Sequence, residues 1–163
     1  MKTLYLLRHA KSSWNFDELT DQERPLNERG RDDAPRVGKA LAERGIEMDL
    51  VVASPAVRAL TTAVLVAREL DYPHDKIVIE PDIYQAEVED LITIIHALPD
   101  VANSVLLTGH NPTITDTVNV LSPTPIDEMP TATVVCLRFQ CESWEQVKKA
   151  NAEFYFVDYV KDR

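Results

Sequence analysis

The sequence predicts an α/β fold, a three-layer α/β/α sandwich around a mostly parallel central sheet. Two observations carry that expectation. Short apolar runs alternate along the chain with stretches of helical periodicity, the pattern of strands joined by crossover helices. Three of those runs also end in chemically rich residues, where strands of a parallel sheet would deliver them to one edge. Leu4-Tyr5-Leu6-Leu7 leads into Arg8-His9-Ala10, Leu50-Val51-Val52 into Ser54-Pro55-Ala56-Val57-Arg58, and Val105-Leu106-Leu107 into Gly109-His110-Asn111-Pro112.

The elements follow in order. Residues 2 to 8 read as the first strand, and Asn27 caps a helix from Glu28 to Arg44 that Gly45 stops. Asp49 to Ala53 is the second strand. Ser54 is expected as N-cap and Pro55 as first helical residue of a helix to about Leu70, broken by Tyr72-Pro73. Lys76 to Glu80 makes a third strand. Val88, Leu91, Ile92, Ile95 and Leu98 recur at helical spacing, with Glu87, Glu89 and Asp90 in the first turn and Pro99 beyond the end. Ser104 to Thr108 is the fourth strand, and Asn111-Pro112 should cap and open a helix to about Leu121. Residues 122 to 130 are Pro-rich, without helix or strand signal. Thr131 to Phe139 and Glu153 to Val160 read as late strands or a packed tail, and the arrangement of the last forty residues is the least legible part.

Composition narrows the class. With 163 residues and 45% hydrophobic content, the chain suits one domain, 1–163, with a sizeable core. No apolar run nears the roughly 20 residues of a membrane span, and the start lacks a signal-peptide pattern, so a soluble cytoplasmic protein is expected. A net charge of -10 and a pI near 4.8 oppose nucleic acid as a partner. Cys136 and Cys141, five apart in a strand-like stretch, point to opposite faces and are expected to be unpaired thiols. No His, Cys or carboxylate group has metal-ligand spacing, so no metal is expected. His74 and His96 are read as structural.

At the shared edge, Arg8, His9, Arg58 and His110 should converge beside two helix starts, whose free N–H groups favour an anion. That is a phosphoryl pocket. The residues composing it resemble the histidine phosphatase superfamily, the phosphoglycerate mutase-like fold. Its opening motif matches Arg8-His9-Ala10 with the later Asn15, Ala standing for the usual Gly. Its second motif matches Ser54-Pro55-Ala56-Val57-Arg58-Ala59-Leu60-Thr61-Thr62-Ala63, with Leu in place of a common Gln, and its third matches Gly109-His110-Asn111. Arg24-Pro25-Leu26-Asn27-Glu28-Arg29-Gly30 and the short length look most like the SixA-type phosphohistidine phosphatases.

The resemblance implies a covalent mechanism without metal or organic cofactor, in which His9 takes the phosphoryl group and water removes it. Arg8 and Arg58 would hold the equatorial oxygens, His110 would donate to them, and Asn15 and Ser54 would contact substrate. Trp14 either flanks the pocket or packs. Arg24 either extends the phosphate site or pairs with nearby acids. Relatives acting on alkyl phosphates place a carboxyl near the third strand to protonate the leaving oxygen, and Glu80, Asp82 and Glu87 are the candidates here; SixA-type relatives are thought to lack one. The implied substrate is phosphohistidine on a protein. Small phosphate esters or anhydrides are the alternative, and a noncatalytic phospho-ligand module is the third reading. The oligomeric state is not legible, although a monomer fits.

Overall fold

The computed structural model describes residues 1–161. Its first strand, β1 (Lys2–Arg8), pairs in parallel with β4 (Ser104–Gly109), which pairs in parallel with β2 (Leu50–Ala53). At one edge, β2 meets β3 (Val78–Ile79). On the other side β1 pairs antiparallel with β5 (Thr133–Phe139), and β5 with β6 (Ala152–Tyr159), giving the order β3-β2-β4-β1-β5-β6. The sheet is therefore mixed, with its four parallel strands on one side and an antiparallel pair closing the other.

Both faces are covered, as near-continuous apolar strands require. Alternation along β1 sends Leu4 and Leu6 to one face, where they join Leu91 and Ile95 of α3 (Val88–His96) and Ile114 and Val118 of α4 (Thr113–Leu121). Tyr5 and Leu7 point to the other face, against Val37 and Leu41 of α1 (Glu28–Glu43) and Ala63 and Val66 of α2 (Val57–Glu69). The chain thus leaves β1 for one face and β4 for the other. Neighbouring strands whose connections part in this way open a crevice at their carboxyl ends, and it is there that the site forms.

Local signals explain most boundaries. The Asn27 side chain accepts from the Gly30 N–H at 2.8 Å, and Gly45 takes φ +76° just beyond α1. Three of the departures from expectation have a visible cause. α2 begins at Val57 with Ala56 as cap, because the Ser54 hydroxyl is engaged by His110 and by the Ala56 N–H instead of a helical N–H. α4 begins at Thr113 with Pro112 at the cap, one residue late, while the Asn111 side chain still accepts from the Thr115 hydroxyl at 2.7 Å. β3 shrinks to two half-exposed residues, since a 3₁₀ turn at His74–Lys76 consumes one end and another at Pro81–Ile83 the other.

Residues from 129 to 156, in the region least legible from the sequence, contribute a built part of the core. Trp144 is fully buried beneath the sheet, its indole N–H donating to the Ala102 carbonyl at 2.8 Å. Lys2, 2% exposed, reaches the Asp100 carbonyl and the Asn103 side chain nearby. Cys136 is buried, Cys141 is partly so, and both are free. Among the described residues no helix is long and apolar enough to cross a membrane.

Candidate active site

Register builds the site. Arg8 sits opposite Gly109 in the β1–β4 ladder, and the His9 N–H continues the pairing to the Gly109 carbonyl at 3.2 Å. The residues that follow, His9 and His110, are thereby side by side, with ring centroids 5.3 Å apart. β2 ends one strand further along, and the Ser54 N–H bonds the Thr108 carbonyl at 3.2 Å, which brings the start of α2 and its Arg58 to the same edge. The four residues line one cavity of about 340 Å³, shared with Lys11, Ser12, Trp14, Arg24, Asn111 and Thr131.

His9 is nearly buried, 8% exposed. Its Nδ1 lies 2.7 Å from the Ala10 carbonyl, an oxygen that can only accept, so Nδ1 carries the proton and the Nε2 lone pair is free. Burial, reinforced by the charges of His110, Arg58 and Arg8, lowers its pKa to about 3 against the backbone bond that raises it. The ring is neutral at physiological pH, with Nε2 unprotonated. His110 is likewise lowered to about 4, by burial first and Arg58 second.

Both guanidiniums are fixed along one edge and unfulfilled along another. Arg8 donates from NH1 to the Met129 carbonyl at 2.8 Å. Arg58 donates to the Asp21 carbonyl at 2.6 Å and to the Asp21 carboxylate at 3.0 Å. Yet Arg8 Nε, Arg58 Nε and His110 Nδ1 are buried without a hydrogen-bond partner, while the other such side-chain atoms among the described residues are threonine hydroxyls. Buried polar atoms are normally satisfied. All three nitrogens belong to residues lining a cavity that also carries Lys11 and Arg24, a setting whose charge favours an anion.

Ser54 is fully buried and does not line the cavity; its Oγ lies 2.7 Å from His110 Nε2, beneath the ring. Asn15 is exposed and also off the cavity wall, its backbone N–H bonded to the Ser13 hydroxyl. Glu80, Asp82 and Glu87 all stand outside: Glu80 accepts from the Asp82 N–H at 3.2 Å, Asp82 borders a different hollow, and Glu87 caps α3 with Asp90. His74 and His96 lie away from the cavity, His96 Nε2 being 2.8 Å from the Val147 carbonyl. Among the described residues, no group of three or more His, Cys, Asp or Glu could hold a metal ion.

Asp21 is the residue that sequence reasoning missed. It binds Arg58, takes Arg24 Nε at 3.1 Å, and accepts from the Tyr84 hydroxyl at 2.6 Å. That Tyr84 bond, with Arg58 and Arg24, holds its pKa down at about 2. The signal available was the Asp21-to-Arg24 spacing, an i,i+3 pair beside a motif arginine. Its link to Arg58 spans 37 residues and carries no local signature.

The sequence agrees with this geometry. Residues 4–91 match the family model of the histidine phosphatase superfamily, branch 1. The chain belongs to that superfamily. It is 29% identical to an uncharacterized chloroplastic protein of Arabidopsis thaliana, over 89% of this chain and 70% of that one. It is 47% identical to the mitochondrial serine/threonine-protein phosphatase Pgam5 of Drosophila persimilis over 45% of this chain, a match spanning only 25% of that longer protein. The fold is closely similar to that of the protein histidine phosphatase SixA solved with tungstate, at TM-score 0.81, 21% identity and 96% coverage of both chains. A protein described as phosphohistidine phosphatase SixA from Agrobacterium tumefaciens gives 0.80, at 26% identity, over 98% of this chain and 99% of that one. This superfamily member is thus a phosphatase with the SixA-type α/β fold.

Proposed function

We propose that the protein is a metal-independent phosphohistidine phosphatase acting on a phosphorylated protein, with His9 as the transient phosphoryl carrier. The observation that carries this reading is the cavity itself, where Arg8, Arg58 and His110 line the same wall as a neutral His9 imidazole. The two arginines neutralise the phosphoryl oxygens in charge-assisted bonds as His9 Nε2 approaches phosphorus in line. Ser54 takes one N–H from Ala56 and keeps its own proton for His110 Nε2, which leaves His110 Nδ1–H as the third donor. Water then attacks the phosphohistidine and frees His9.

The choice of substrate rests on what the cavity wall lacks. Its residues include no carboxyl group, and Asp21, the acid bonded to Arg58 and Arg24, is held ionised well below neutral pH. An alkoxide leaving group needs a proton in the transition state, and a positioned acid typically supplies about 10²- to 10⁴-fold. Imidazole leaves more readily.

Rapid quenching with labelled phosphohistidine protein, in the presence of chelator, tests the mechanism. A phosphoenzyme stable in base and labile in acid should form, and be absent from His9→Ala. Phosphohistidine and aryl phosphates should turn over, and simple alkyl phosphates hardly at all. Label on a serine, or activity restored only by a divalent ion, overturns the mechanism. Equal turnover of alkyl phosphates would transfer the reading to small phosphate esters.

A further inference from the structure

In-line displacement fixes where a leaving group must go. With His9 at the cavity floor, the departing atom lies on the far side of phosphorus, toward the mouth. Trp14 lines this cavity yet is 75% exposed, so its indole sits at the rim. It does not serve the core, and a Trp that exposed signals contact with something else.

The indole is held in place from below. The Arg24 guanidinium stacks 3.5 Å from the ring centroid, and Arg24 itself is 8% exposed, tied to the Ser12 hydroxyl at 2.8 Å, the Ser13 carbonyl at 3.1 Å and the Asp21 carboxylate at 3.1 Å. The loop beneath is pinned in turn, the Ser13 N–H bonding the Pro25 carbonyl at 2.8 Å and Ser12 bridging Leu26. One ring face is therefore occupied and the other is open, at a fixed place. Fixed aromatic surface costs little to use on binding.

We propose that Trp14 is the specificity platform for the leaving group, a stacking surface for a planar aromatic ring bonded to phosphorus, in the favoured substrate the imidazole of phosphohistidine. This deepens the phosphohistidine reading and rests on it for the nature of the ring. A cation already covers one face, so the open face favours a neutral ring over a second cation.

The test compares two activated donors, phosphoimidazole and acetyl phosphate, in the wild type, Trp14→Phe and Trp14→Ala. The ratio of their kcat/KM values should fall roughly 3- to 10-fold in Trp14→Ala, the worth of one aromatic stack, mainly through KM for phosphoimidazole, and be kept in Trp14→Phe. Phenyl phosphate, run alongside, separates an O-linked ring from an N-linked one. Calorimetric titration gives a readout free of turnover: phenylphosphonate should bind the wild type more tightly than methylphosphonate, and Trp14→Ala should erase the difference. An unchanged donor ratio and no ring preference in binding overturn the platform even if the protein hydrolyses both donors. A ring preference lost in Trp14→Ala, in a protein that turns over neither donor, keeps the platform and overturns the phosphatase mechanism.

Discussion

Two neutral histidines, His9 buried and His110 partly so, make this fold sensitive to mild acid, by an amount the site geometry sets. In the unfolded chain each imidazole titrates near 6.5, whereas in the folded protein burial brings His9 to about 3 and His110 to about 4. As pH falls below about 6.5 the unfolded chain takes up protons that the folded one refuses. The stability is therefore complete above that pH and drains away toward pH 4 and 3. Between pH 7 and 5 each ring costs about 2 kcal/mol, from 1.36 kcal/mol per unit over about 1.5 units, and the pair about 4. That is a large share of the roughly 5–15 kcal/mol that holds a domain together. Urea unfolding at pH 7, 6 and 5, in buffers free of phosphate, measures it. His9→Asn and His110→Asn should each remove about half of the loss, the second slightly more because His110, 5.3 Å away, also helps to lower the pKa of His9. A double variant that loses stability as steeply as the wild type would show that the rings are not buried neutral, and the account of His9 as a ready nucleophile would fail with it.

Two further outcomes follow from particular contacts. A Cβ on Gly30 would come 2.1 Å from the Lys11 carbonyl, backbone two residues past His9, so Gly30→Ala should destabilise by about 1–3 kcal/mol and lower kcat; an unchanged urea midpoint with full activity would refute the close approach. Asp21→Asn should reduce kcat by about 10-fold, less than the roughly 10²- to 10³-fold of deleting a donor, without weakening the binding of tungstate, because it loosens Arg58 while removing a negative charge. Unchanged kcat in steady-state assays would mean that Arg58 holds its place unaided.

The four residues of the pocket were legible because each follows a strand or opens a helix, and a parallel sheet delivers such positions to one edge whatever its exact register. Periodicity also placed both faces: the alternation of Leu4 and Leu6 against Tyr5 and Leu7 is what the two core clusters repeat. Where the reading slipped, a tertiary bond outweighed a local preference. Ser54-Pro55 has the composition of a helix start, but the hydroxyl that would cap α2 is drawn under His110, 56 residues away. The third strand had enough apolar residues for five positions and kept two, since an edge strand with one neighbour cannot hold ends that turns compete for.

The same contrast separates the two kinds of residue in the site. Those proposed to meet the phosphoryl group announce themselves by chemistry and position, Arg and His at strand ends and a helix start. Those that hold them, Asp21 on Arg58, Met129 on Arg8 and Ser54 on His110, come from loops and from 37 to 121 residues away, and nothing in their neighbourhood marks them. This division has a physical basis. A guanidinium at a cavity wall is a loose charge on a long stem until one edge of it is fixed, and the fixing group need only present an acceptor, which backbone carbonyls and any Asp or Ser can do. Each anchor here engages one edge of a residue that lines the cavity. Side chains fixed in this way before an anion arrives lose little freedom when it binds, which is the advantage of a site organised in advance.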